Sequence, residues 1–99
     1  MPQRSYTQTV LAKTLSASSH QAVTGDAVFF GVDVNDDDSG SVHIHIYNGT
    51  DNTGVMVGSA KPPNGGHEKS WFGPNGIICS DGIYIEVVSG TLSGALFYR

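Results

Sequence analysis

Ninety-nine residues fit one domain, and a chain of this length buries roughly 60–65% of its unfolded surface, enough for one modest core. Nine acids against five bases give a net charge of −4, so there is no clustered positive charge to approach nucleic acid or an anionic membrane. Charged residues are only 14% of the chain and glycines number 13, against ordinary shares of about 25% and about 7%, a pairing that predicts many tight turns.

The opening MPQRSYTQTVLAK has no continuous apolar run of the signal-peptide kind. No stretch approaches the ~18 apolar residues that span a bilayer. Both predict a product made soluble in a cytoplasm. Apolar residues nowhere recur at three and four, whereas alternation at two recurs between turn signals, so the chain reads as all-β.

In SYTQTVLAK, Tyr6, Gln8 and Val10 alternate with Thr7, Thr9 and Leu11. This is a Thr-rich strand with no dry face, which predicts an edge or an arm that pairs with a neighbour. The polar TLSASSHQAVTG offers a short strand at 15–17 or at 20–23, since Thr, Ser and Gln are tolerated at sheet edges. Residues 1–25 are therefore expected as an N-terminal strand or arm of the same domain, and 26–99 as its body.

DAVFFGVDV, residues 26–34, places Val28, Phe30, Val32 and Val34 on one face, expected as core, and Ala27, Phe29, Gly31 and Asp33 on the other. After the turn NDDDSG, SVHIHIY sends Val42, Ile44 and Ile46 one way and His43, His45 and Tyr47 the other. These two strands are expected to form a hairpin. VMVGSAK stops at Pro62-Pro63, because proline cannot donate to a ladder. A strand at 67–72, a Gly-Pro-Asn-Gly turn, GIYIEVV and TLSGALFYR complete the chain, with Ile83, Ile85 and Val87 inside. Roughly seven to eight short strands with turns about every 8–12 residues predict a single-domain antiparallel β-sandwich, of which the jelly roll is one form.

His43 and His45 would project from one strand face about 7 Å apart, close enough to share a metal if a third ligand arrived. The spare candidates His20, His67, Asp33 and Glu86 show no recognised ligand spacing. Histidines on a polar or intersubunit face are the favoured alternative, with no metal and no cofactor expected. Asp33, Asn35, Asp37 and Ser39 imitate a calcium loop, but Asp38 and Ile44 stand where the EF-hand pattern wants Gly and a bidentate Glu. A solvated turn over 36–38 is the better expectation.

Cys79 follows Ile77 and Ile78; a lone thiol makes neither an intrachain disulfide nor a structural zinc site, and a buried inert one is expected. No nucleophile elbow, His-Glu-x-x-His or phosphate loop is present. Glu68 or Glu86 with an Asp could form a glycosidase pair, but so short a chain has little room for a cleft, so no enzyme is expected. Tyr47, Trp71 and Tyr84 could stack on sugars if exposed together. Asn-Gly-Thr at 48–50 matches a glycosylation sequon and is read as a turn.

The order of elements adds a resemblance. FFGVDVNDDDSGSVHIHIYNGTDNTGVMVGSAKPP followed by WFGPNGIICSDGIYIEVVSGTLSGALFYR resembles small single-domain virion proteins of tailed bacteriophages, of the kind that decorate or cement capsids. The resemblance covers residues 29–99 and rests on turns and strand edges. It implies a non-enzymatic structural protein on the capsid surface, binding the major capsid protein or another virion protein, commonly as a homotrimer. Tyr6, Gln8 and Val10, with His43, His45, Tyr47, Trp71 and Tyr84, are the expected interface residues. A tail- or fibre-associated module that binds a carbohydrate or receptor is the alternative.

Overall fold

The computed structural model describes residues 9–37 and 40–99. Nine strands form: β1 Leu11–Thr14, β2 His20–Val23, β3 Ala27–Asp36, β4 His43–Asn48, β5 Val55–Ala60, β6 His67–Trp71, β7 Ile77–Cys79, β8 Ile83–Ser89 and β9 Leu92–Tyr98. Every pairing between them is antiparallel. The chain is an all-β sandwich, with sheet orders β1-β9-β3-β6 and β2-β8-β4-β5. The ninth strand, beyond the expected number, is β7, which pairs with the first half of β3.

The pairings are nested. β4 pairs β5, β3 pairs β6, β2 pairs β8 and β1 pairs β9, as in one long hairpin whose tip is the β4–β5 turn. Rolling that hairpin up brings β9 beside β3 and β8 beside β4, which is the winding of a jelly roll. The expected hairpin between β3 and β4 does not form: the two strands lie in different sheets. β9 lines one side of β3 and β6 with β7 the other, so no edge of β3 is left for β4.

The expected faces of β3 hold only for its second half. Phe29 pairs with Tyr98 and Gly31 with Phe97, which makes Phe30 an extra residue against β9. Such a bulge changes the phase of the strand by one residue. Ala27 and Phe29 thereby join Val32 and Val34 in the core, while Phe30 is buried, as expected, but outside that cluster. From the other sheet Ile44, Ile46, Ile83 and Ile85 face them, all fully buried, with Val42. Burying each such side chain contributes roughly 1.5–3 kcal/mol before chain entropy is subtracted. Leu15 is buried too, with its N–H donating to Gly94 O at 3.0 Å. Residues 15–17 form no strand, and the second of the two expected sites, 20–23, does.

Two glycines permit the close spacing of β3 with its neighbours. A Cβ at Gly31 would lie 2.1 Å from Ser70 O, and one at Gly94, where φ is +141°, would lie 1.9 Å from Asp33 O. Backbone cannot yield as a side-chain tip can. Gly31→Ala and Gly94→Ala are each expected to cost at least ~1–3 kcal/mol in urea unfolding. Gly58→Ala should stay within about 1 kcal/mol, since its Cβ would meet Ile46 and Phe29 at an ordinary 3.5 Å.

Candidate functional site

The outward face of the β1-β9-β3-β6 sheet carries an aromatic groove. The registers place Ala12, Phe97, Gly31 and Trp71 in one row across four strands. Because Gly31 has no side chain, the rings on either side close over the gap: Trp71 and Phe97 stand edge to face with centroids 6.3 Å apart. Trp71 also stacks on Phe30 at 5.8 Å, the residue that the bulge removed from the core cluster. Lys69 Nζ sits 5.9 Å from the centroid of Phe97, within cation–π range. Val10, Lys69, Trp71 and Phe97 line an open groove of about 560 Å³.

Trp71 is 53% exposed; Phe72 and Leu11 are exposed too, but on the sheet's other face, Phe72 against Phe29 and Leu11 opposite Tyr98. In the next row, Asp33 stands between Ala95 and Lys69. Its Oδ1 is buried and has no hydrogen-bond partner among the described residues, which is costly unless something outside the chain supplies a donor.

The outward face of the other sheet is polar and internally bonded. β4 and β8 set His45 opposite Glu86 and Tyr47 opposite Tyr84. His45 Nδ1 lies 3.1 Å from Glu86 Oε1; Tyr47 OH donates to the same oxygen at 3.0 Å, and Asn52 Nδ2 donates to Oε2 at 2.7 Å. These bonds, Asn52 first, then Tyr47, hold the Glu86 carboxyl below its ordinary 4.5. Burial, with Glu86 beside it, pushes the Tyr47 phenol up. The rings of His43 and His45 meet edge to face, centroids 4.6 Å apart.

A third feature lies at the loop end, where Gly25, residues 48–51, Thr53, Gly54, Ser80 and Asp81 line a polar cleft of about 610 Å³. Asn48 belongs to the apparent sequon; its Oδ1 accepts the Asp81 N–H at 2.9 Å, a tie between two loops.

Val42, Ile44 and Ile46 point inward, as expected, and His43, His45 and Tyr47 outward. Of the spare metal candidates, Glu86 joins His45 as a hydrogen-bond partner; Asp33 and His67 lie on the opposite sheet and His20 on edge strand β2. Among the described residues no three of His, Cys, Asp and Glu converge to hold a metal. Trp71 is on one sheet and Tyr47 and Tyr84 on the other, with Tyr47 only 8% exposed, so the three cannot stack on one sugar. Glu68 and Glu86 are likewise on opposite sheets; Glu68 accepts the Lys61 N–H.

Asp36 is buried, and its Oδ2 accepts the Gly65 N–H at 2.9 Å, so it ties the end of β3 to a loop. Tyr6, Gln8, Asp38 and Ser39 lie outside the described residues. Cys79 is fully buried, and burial pushes its thiol up.

Lys69 and Phe97 were missing from the expected surface, and Phe30, buried as expected, supports that surface beneath Trp71. Alternation in HEKSW puts Lys69 beside Trp71, a usable signal, whereas Phe30 requires knowledge of the bulge. No protein-family model matches the chain, and comparison with curated proteins and with solved structures found no significant match.

Glu86 supplies a pH test. A carboxyl whose folded pKa is depressed contributes stability above its unfolded pKa, and that contribution is lost as pH falls through the folded value. Glu86→Gln should therefore lower the urea midpoint near pH 6, and the gap to the native chain should narrow by about pH 3. A gap that stays constant would assign no such role to Glu86.

Proposed function

We propose that this chain is a non-enzymatic structural protein of a tailed-phage particle, a decoration or cement protein that binds the capsid lattice as an oligomer through the outward face of the β1-β9-β3-β6 sheet. The supporting observation is the groove of Val10, Lys69, Trp71 and Phe97. An exposed tryptophan set among aromatic rings, with a cation beside them, has the composition of an interface hot spot. The groove offers few hydrogen-bonding groups, which suits a protein surface better than a sugar. The buried, unpartnered Asp33 oxygen beside Lys69 is consistent with a donor arriving from a partner. Jelly rolls serve viral capsids and lectins alike, so the winding supports the reading by analogy alone.

One observation favours the carbohydrate alternative. The loop-end cleft is rich in amide, hydroxyl and carboxylate groups, the chemistry that meets sugar hydroxyls.

Light scattering over a concentration series, together with counting copies in purified particles, tests the assembly reading. The native chain should self-associate and occur in hundreds of copies (on the order of one per lattice position). Trp71→Ala should weaken association about 30-fold, the effect of a ~2 kcal/mol hot spot. A chain that stays monomeric, is absent from particles and binds a glycan through Asp81 would replace this reading with the alternative.

A further inference from the structure

We propose that His43 and His45 form a two-imidazole chelating site for a late first-row divalent cation such as Zn²⁺ or Cu²⁺, with Glu86 orienting His45. The site lies on the sheet opposite the aromatic groove, so it stands or falls independently of the assembly reading.

The extended backbone of β4 sends both rings out of one face. With metal–nitrogen bonds of about 2.0–2.1 Å, two imidazoles bound side by side to one ion have ring centroids about 4.5–5.2 Å apart. The observed 4.6 Å falls within that spacing, and turning the His43 ring out of its edge-to-face contact would aim both lone pairs at one ion. Bringing these two ligands together therefore demands little rearrangement of the strand.

The hydrogen bonds decide which nitrogen of His45 is available. Glu86 accepts from Tyr47 OH and Asn52 Nδ2 and, as a carboxylate, has only lone pairs to offer His45. Nδ1 of His45 must then carry the proton in their 3.1 Å contact, which leaves the lone pair on Nε2. A carboxylate holding the far nitrogen of a ligating imidazole is the usual support of such ligands: it fixes the tautomer and raises basicity. His43 has no hydrogen-bond partner among the described residues, so its ring can turn to present a nitrogen. Both side chains are half-buried and reachable from solvent.

Two imidazoles select Zn²⁺, Cu²⁺ or Ni²⁺ over Mg²⁺ and Ca²⁺, which prefer oxygen. Since no third protein ligand converges among the described residues, water completes the coordination. The ion is thus exchangeable, and the fold does not depend on it.

Titration of the metal-stripped full chain with ZnCl₂, followed by the imidazole ring protons in NMR, tests the site without any substitution. One equivalent of Zn²⁺ should move the His43 and His45 signals and leave those of His20 and His67 in place, and Mg²⁺ should move none. In calorimetry, His43→Ala and His45→Ala should each abolish the one-site isotherm, and Glu86→Gln should weaken it about 10–100-fold. A double His20→Ala, His67→Ala variant should bind as the native chain does. Shifts spread evenly over all four histidines, or an isotherm that survives loss of His43 or His45, would overturn the proposal.

Discussion

One extra residue in β3 controls both surfaces of the sheet that carries it. Up to Phe29 the strand follows one phase, and from Gly31 onward the other, with Phe30 left over against β9. Without the bulge, Phe29 would point out with Gly31 and Asp33, and Phe30 would take its place in the core. With it, Phe29 faces the interior while Phe30 moves under Trp71. Gly31 stands in the middle of the outer row, where its missing side chain lets Trp71 and Phe97 approach each other. The bulge thus decides which ring fills the core and which one supports Trp71 from beneath.

The rolled hairpin then separates two chemistries by the thickness of the sandwich. The β1-β9-β3-β6 sheet turns an aromatic groove outward, with an orphaned carboxylate oxygen beside it. The β2-β8-β4-β5 sheet turns out the imidazole of His45, a phenol and a carboxylate that bond one another, with the ring of His43 beside them. The first face gains by being covered, because exposed aromatic area and an unpaired oxygen both cost free energy in water or partial burial. The second is largely paired in the free chain, which suits binding of a small ligand more than burial against a partner.

The all-β class and the dry faces of β4 and β8 were legible in the sequence, because Val42, Ile44 and Ile46, then Ile83, Ile85 and Val87, alternate without interruption. β3 was not, since apolar residues at 27–30 and 32 fit either phase and nothing local marks the bulge. The partner of β3 was also hidden: a short polar turn before an alternating strand signals a hairpin, and only the occupancy of both β3 edges by β6, β7 and β9 excludes it. At the site, alternation revealed that His43, His45 and Tyr47 share a face. The bonds that His45, Tyr47 and Asn52 make to Glu86 join residues 34 to 41 apart, beyond any local pattern.

The phase of β3 can be read most directly from nuclear Overhauser contacts of the two adjacent phenylalanine rings. The Phe29 ring should contact Gly58 and Ile46 of the opposite sheet, since a Cβ at Gly58 would meet both side chains at 3.5 Å, and the Phe30 ring should contact the Trp71 indole. Contacts from Phe30 into the Ile44, Ile46 and Ile85 cluster, with Phe29 facing solvent, would restore unbroken alternation and contradict the bulge.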